Sequence, residues 1–149
     1  MRPFSYQHIW KLIKYHLMIQ YVGAIKRDPG LDTLLEMATE CMVIQERPPW
    51  WVKIKAWQVE PSEQMPHGIK YELTLHDHHN QRVFGMDNAH APSKPKRKKY
   101  AGHRKVWDHK HNGLQDKGTP YEFSDAGQLL TDFWDGVNET LAEHGYKPI

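Results

Sequence analysis

The chain has 149 residues, 39% of them hydrophobic and 26% charged, which suits a single compact domain. Its formal net charge is only +2, so any basic character is local, and the lone Cys41 rules out an internal disulfide and favours a reducing compartment. No apolar run approaches the ~20 residues that cross a bilayer, and Lys11, Lys14 and His16 interrupt any signal-peptide core; a soluble cytoplasmic protein with no membrane partner is expected.

Residues 5–21 place Ile9, Ile13, Leu17 and Tyr21 at helical spacing behind Ser5 as an N-cap, although the Ile and Tyr content leaves a strand open. Asp28-Pro29-Gly30 signals a turn, and residues 31–40 read as a short helix through Leu31, Leu34, Leu35 and Ala38. Arg47-Pro48-Pro49 ends whatever precedes it, because consecutive prolines lack ladder donors and restrict the backbone. From Trp50 the period becomes two. Residues 50–60 carry Val52, Ile54 and Ala56 on one face and Trp51, Lys53, Lys55 and Trp57 on the other. Ile69, Tyr71, Leu73 and Leu75 alternate with polar residues, a turn follows at 77–80, and residues 81–88 return as a third strand. Ser124 can cap a last helix whose apolar stripe is Leu129, Leu130, Phe133, Trp134, Val137 and Leu141, with Gly145 at its end.

These elements predict an α+β fold: a small antiparallel β-meander packed by a C-terminal α-helix. Residues 1–45 form a helical extension, and 46–149 supply the sheet, a basic loop and the last helix, all within one domain.

Residues 89–119 hold little apolar content, and a segment this long in a small domain is usually functional or disordered. Lys94, Lys96, Arg97, Lys98, Lys99, Arg104, Lys105 and Lys110 are opposed by one acid, Asp108, and enclose His103, His109 and His111. Clustered positive charge attracts polyanions, and histidine donates or accepts a proton near neutral pH. Trp51 and Lys53, with Lys55 and Trp57, could stack unpaired bases and grip their phosphates. Burial of both tryptophans beneath the N-terminal helices is the preferred reading, because two exposed side by side invite aggregation.

Read in order, the segments carry His67-Gly68-Ile69-Lys70-Tyr71 opening a strand and Met86-Asp87-Asn88 closing the next. Asp108-His109-Lys110-His111 follows the basic loop, and Pro120-Tyr121-Glu122-Phe123 leads into Leu129-Leu130 and Asp132-Phe133-Trp134. This series resembles the TumE-like toxins of prokaryotic toxin–antitoxin pairs, which show an H-x-x-K-Y strand, a D-N, a D-H-R/K-H turn and a Y-x-F lead into the last helix. The match runs from about Cys41 to Val137. The link from Asn88 to Asp108 is longer and more basic than the family's short, Gly-rich one. The resemblance implies a growth-inhibiting toxin neutralised by a cognate antitoxin protein.

The chemistry is argued from the residues. RNA brings its own nucleophile, the 2′-hydroxyl, so its cleavage needs a base, an acid and a cation but no cofactor or metal. His109 and His111, two apart, project to one side of an extended backbone and suit the proton roles. Asp108 would orient a neighbouring imidazole, Asp87 would orient a catalytic histidine across the sheet, and Lys110 or Arg104 would stabilise the phosphate. The expectation is an endoribonuclease acting on RNA, with self-association left open. Non-catalytic nucleic-acid binding and protein docking through the basic loop are the alternatives.

Blander readings stand beside these. Asp108 with its histidines also reads as a capped turn, as does Asp87-Asn88, and His67, His76, His78 and His79 read as loop or solvated residues. A Zn²⁺ or Mn²⁺ site from Asp87, Asp108, His109, His111 and His67 is a third reading, without support from a cysteine pair or an H-E-x-x-H pattern.

Overall fold

The computed structural model describes residues 28, 30–38, 41–88 and 107–149; the helix read over 5–21 lies outside them. Among the described residues, six strands form one sheet in sequence order, each antiparallel to its neighbours: β1 (Cys41–Glu46), β2 (Pro49–Gln58), β3 (Ile69–His76), β4 (Arg82–Asp87), β5 (His109–Asn112) and β6 (Thr119–Pro120). Two helices accompany it, α1 (Leu31–Met37) and α2 (Ala126–Glu143). The α+β meander with its C-terminal helix is therefore the fold.

The sheet is wider than the three strands legible in the sequence. Residues 41–45, assigned to the helical extension, join Glu46 in its first strand. Met42 and Ile44 turn inward while Cys41 and Val43 are exposed, but a register shift between Val43 and Gln45 breaks the alternation after two repeats. At the other edge, β5 arises inside the segment read as loop and β6 at its end. The β5 sequence His109-Lys110-His111-Asn112 has no apolar partner to reveal its period, and it becomes a strand by pairing with β4.

Alternation gives each strand an inner row. Trp50, Val52 and Ile54 on β2, Tyr71, Leu73 and Leu75 on β3, and Phe84 and Met86 on β4 join one core with Leu34 of α1 and Leu129, Leu130, Phe133, Trp134, Val137 and Leu141 of α2. Burying one such side chain contributes about 1.5–3 kcal/mol, so this inner face dominates folding. The N-cap of α2 is Asp125, one residue beyond Ser124, whose carboxylate accepts from Gln128 N at 2.8 Å. Asp28 accepts from Ala126 N at 2.6 Å, so two carboxylates sit at the positive end of the helix. At the other end, Tyr146 N donates to Leu141 O (2.9 Å) and Gly145 N to Ala142 O (3.0 Å), with Gly145 at φ 81°. That pairing is a Schellman motif.

Gly136 sets the approach of α2 to the sheet. A Cβ there would come within 2.2 Å of the Phe84 ring tip and under 3.0 Å of two further ring atoms. Alanine in a helix gains about 1 kcal/mol over glycine, whereas overpacking a core costs about 1–3 kcal/mol. The ring is itself held against Phe133, centroids 5.8 Å apart, so the clash wins. Gly136→Ala should lower stability by about 1–2 kcal/mol, read as a reduced denaturant midpoint at unchanged slope.

Candidate functional site

The chain around β5 distributes its chemistry by parity. His109 stands opposite Asp87, and His111 opposite Gly85, on the face of the sheet away from α2. Lys110 stands opposite Met86 on the inner face, its ammonium 5.3 Å from the centroid of the Phe84 ring. Asp108 also turns inward. The sequence placed Asp108 beside an imidazole, and so it is, but that imidazole is His67.

Asp108 is 7% exposed and gathers its donors from distant segments. Tyr71 donates its hydroxyl to Oδ1 at 2.7 Å, and His67 Nε2 lies 3.3 Å from the same oxygen. His67 Nδ1 accepts from Ile69 N at 3.3 Å, so this nitrogen bears no hydrogen and Nε2 is the donor. Phe123 stacks on the imidazole, centroids 3.9 Å apart. Burial, and after it the charge of Asp108, hold the Tyr71 phenol far above its ordinary pKa, so it remains a donor. His67, read as a loop residue, is thus fixed on three sides; its partner lies 41 positions away, beyond the reach of local pattern.

On the outer face, His111 Nε2 lies 3.1 Å from Asp87 Oδ2, and both side chains are nearly buried. His111 Nδ1 lies 3.1 Å from the backbone oxygen of Asp116. A carbonyl only accepts, so Nδ1 carries the hydrogen of that bond and Nε2 is the nitrogen that faces the Asp87 carboxylate. The loop 113–118 closes over this ring: Gly118, at φ 87°, would put a Cβ within 2.6 Å of His111 Cε1. Asp116 fixes the loop by accepting from Asn112 N (2.7 Å) and Gly118 N (3.0 Å), which depresses its own pKa.

His109 differs. It is half-buried, its ring centroid 6.3 Å from that of His111, and no hydrogen bond engages it among the described residues. Asp87, its opposite number, also faces Glu72 across the ladder, and Glu72 is 4.0 Å from Lys55.

Sequence reasoning missed Arg82. Its parity is that of Phe84 and Met86, but a register shift between Leu75 and His76 intervenes, and its Cδ lies 3.3 Å from the position a Gly85 Cβ would take, on the outer face. Its Nε is buried with no hydrogen-bond partner among the described residues. Arg82, together with His111, helps depress the Asp116 pKa.

The remaining expected residues divide. Lys94, Lys96, Arg97, Lys98, Lys99, Arg104 and Lys105 lie outside the described residues. Lys53 is on the outer face, half-buried and opposite Thr74. Trp51 is there too, stacked on His76 (4.1 Å, planes 8° apart) and donating Nε1 to Asn80 Oδ1 at 3.0 Å. Both described helices pack on the inner face, so neither shelters the tryptophans: Trp57 is 46% exposed. His76 is not simply solvated, since Thr74 Oγ1 (3.0 Å) and Asn80 O (3.4 Å) also engage it. The five donors of the metal reading fall on two faces, and no group of three or more His, Cys, Asp or Glu among the described residues could hold one ion.

Compared with known proteins, residues 37–141, most of the chain, match the family model described as Toxin TumE. The chain belongs to the TumE toxin family. No match was found among curated proteins or among solved structures. Membership gives this TumE protein the role of a toxin and implies an antitoxin partner. No described helix is long and apolar enough to cross a membrane. The motif residues of the resemblance meet in pairs here: His67 and Tyr71 with Asp108, Asp87 with His111, Phe123 with His67.

Two measurements follow. Tyr71→Phe removes a hydrogen bond to a buried carboxylate and should cost about 1.5–3 kcal/mol of stability, seen in denaturant titration. Burial, then the charges of Lys53 and Arg82, lower the His76 pKa, with the Asn80 carbonyl and Asp77 opposing. The unfolded chain then binds a proton at His76 that the fold refuses. Stability should therefore fall as pH drops below about 6.5, and the decline should be shallower in His76→Gln.

Proposed function

We propose that this toxin cuts RNA as a metal-independent endoribonuclease whose centre is the outer-face cluster of His109, His111 and Asp87. The observation that carries the reading is an imidazole, His109, that no hydrogen bond engages among the described residues, held 6.3 Å from a second ring whose Nε2 lies 3.1 Å from a carboxylate oxygen. His109 accepts the proton of the 2′-hydroxyl as that oxygen attacks phosphorus. The P–O5′ bond breaks, and His111, acting as the acid beside Asp87, passes a proton to the 5′-oxygen. The products are a 2′,3′-cyclic phosphate and a 5′-hydroxyl, with no metal or cofactor consumed. Each proton transfer contributes about 10²–10⁴-fold.

The cation role moves. Lys110 points to the opposite face, toward Phe84, whereas Arg82 lies beside Gly85, the residue opposite His111. Arg82 is assigned the charge that develops on the phosphorane. Asp108 becomes a positioning residue, holding the start of β5 through Tyr71 and His67. RNA places the site of action in the cytoplasm.

The test incubates purified wild-type and His109→Ala protein with total RNA in a strong chelator. Wild type should yield 2′,3′-cyclic phosphate ends, and His109→Ala should lose at least about 100-fold in rate with its unfolding midpoint unchanged. Arg82→Gln should slow cleavage without altering the product ends. Undiminished cleavage by His109→Ala removes the mechanism; growth arrest that persists in that variant without cleavage favours a non-catalytic nucleic-acid binder.

A further inference from the structure

The two outward tryptophans of β2 are in different states. Trp51 is occupied on its face by His76 and at its N–H by Asn80. Trp57, near the end of the strand, is 46% exposed; its ring contact among the described residues is Lys70, whose ammonium lies 5.7 Å from the ring centroid. A large exposed aromatic adds nothing to the core of this fold, and an indole flanked by a cation is suited to a flat, electron-rich ring bearing a phosphate.

Charge on the same face points the same way. Its acids are already engaged: Glu72 by Lys55, Asp87 by His111, and Asp116, in the loop over His111, by the backbone N–H groups of Asn112 and Gly118. Lys53 and Lys70 have no ion-pair partner among the described residues, and Arg82 presents a buried, unpaired Nε. The face is therefore locally cationic although the chain carries only +2 overall.

Register fixes the path. Trp57 lies opposite Lys70; the next outward row is Lys55, Glu72, Asp87 and His109, and the one after it is Lys53, Thr74, Gly85 and His111. Trp57 on β2 and His109 on β5 are thus three strands apart, roughly 14 Å at about 4.8 Å per strand. That span needs a run of nucleotides, and a base can lie on Trp57 only if it is unstacked and unpaired.

We infer that the outer face is a single-stranded RNA platform: one unpaired base stacks on Trp57, and Lys70 and Lys53 hold backbone phosphates as the strand runs across the sheet to His109. This rests on the RNA reading of the His109 cluster and adds the strandedness and path of its substrate. Stacking is tolerant of base identity, so the platform selects unpaired RNA over duplex more than one sequence over another.

Binding is measured by fluorescence anisotropy in the His109→Ala background, which prevents cleavage, with a labelled single strand of about 12 nucleotides and with its duplex. The single strand should bind at least roughly tenfold more tightly than the duplex, and Trp57→Ala should weaken it roughly ten- to hundredfold, with Trp57→Phe close to the parent. Trp57 is exposed, so its variants should keep the parent's unfolding midpoint. Equal affinity of Trp57→Ala and the parent, or equal binding of duplex, overturns the platform. The two readings fail separately. If His109→Ala abolishes cleavage but Trp57→Ala binds as before, the catalytic cluster stands without the platform. If Trp57→Ala loses affinity while His109→Ala still cuts, the platform stands and the catalytic assignment falls.

Discussion

Asp108 is a charge removed from water, and a buried carboxylate is tolerated only when donors surround it. Here the donors come from Tyr71 on β3 and from His67 in the loop before it, while the Asp108 carbonyl accepts from Tyr121 N at 2.8 Å. Three separated segments are thereby fixed to the point where the chain enters β5. Without that anchor, a strand of four polar residues would have little to hold its register. With it, the side chain at 108 faces in, and the residues at 109 and 111 must face out.

The two sides of the sheet consequently serve different ends. The inner side is largely apolar, with the Asp108 cluster and Lys110 at its β5 end. The outer side carries histidine, arginine, lysine and tryptophan, among which His111 is fully engaged and His109 is not. Each Asp–His pair has a distinct character. His67 has one nitrogen filled by a backbone N–H, so it is a structural imidazole. His111 is turned toward two oxygens, the Asp87 carboxylate and the Asp116 carbonyl.

Much of this was legible where side chains alternate in kind. Ile69, Tyr71, Leu73 and Leu75 declare β3, the Leu129–Leu141 stripe declares α2, and the two-residue spacing of His109 and His111 places both rings on one side. The short ordered motifs led to the TumE family without any solved structure to match. Legibility failed where alternation is hidden. In β1 a bulge cuts the pattern short, and in β5 all four residues are polar, so strand identity depends on pairing partners far along the chain. The same holds for the contacts of Asp108 with His67 and Tyr71. Arg82 escaped because its parity matches the core residues of β4, and only the irregular register beside His76 accounts for its position.

Asn88 bears on how the family can diversify. Its side-chain oxygen accepts from Tyr71 N (3.0 Å), its side-chain nitrogen donates to Ile69 O (2.8 Å), and its own N–H reaches Tyr71 O (3.3 Å). One amide thus stands in for the next stretch of backbone and closes the ladder where β4 ends, meeting peptide groups of Ile69 and Tyr71 on β3. A lineage can lengthen, shorten or recharge the connection to Asp108 at small thermodynamic cost while the ladder that ends at Asn88 keeps its hydrogen bonds.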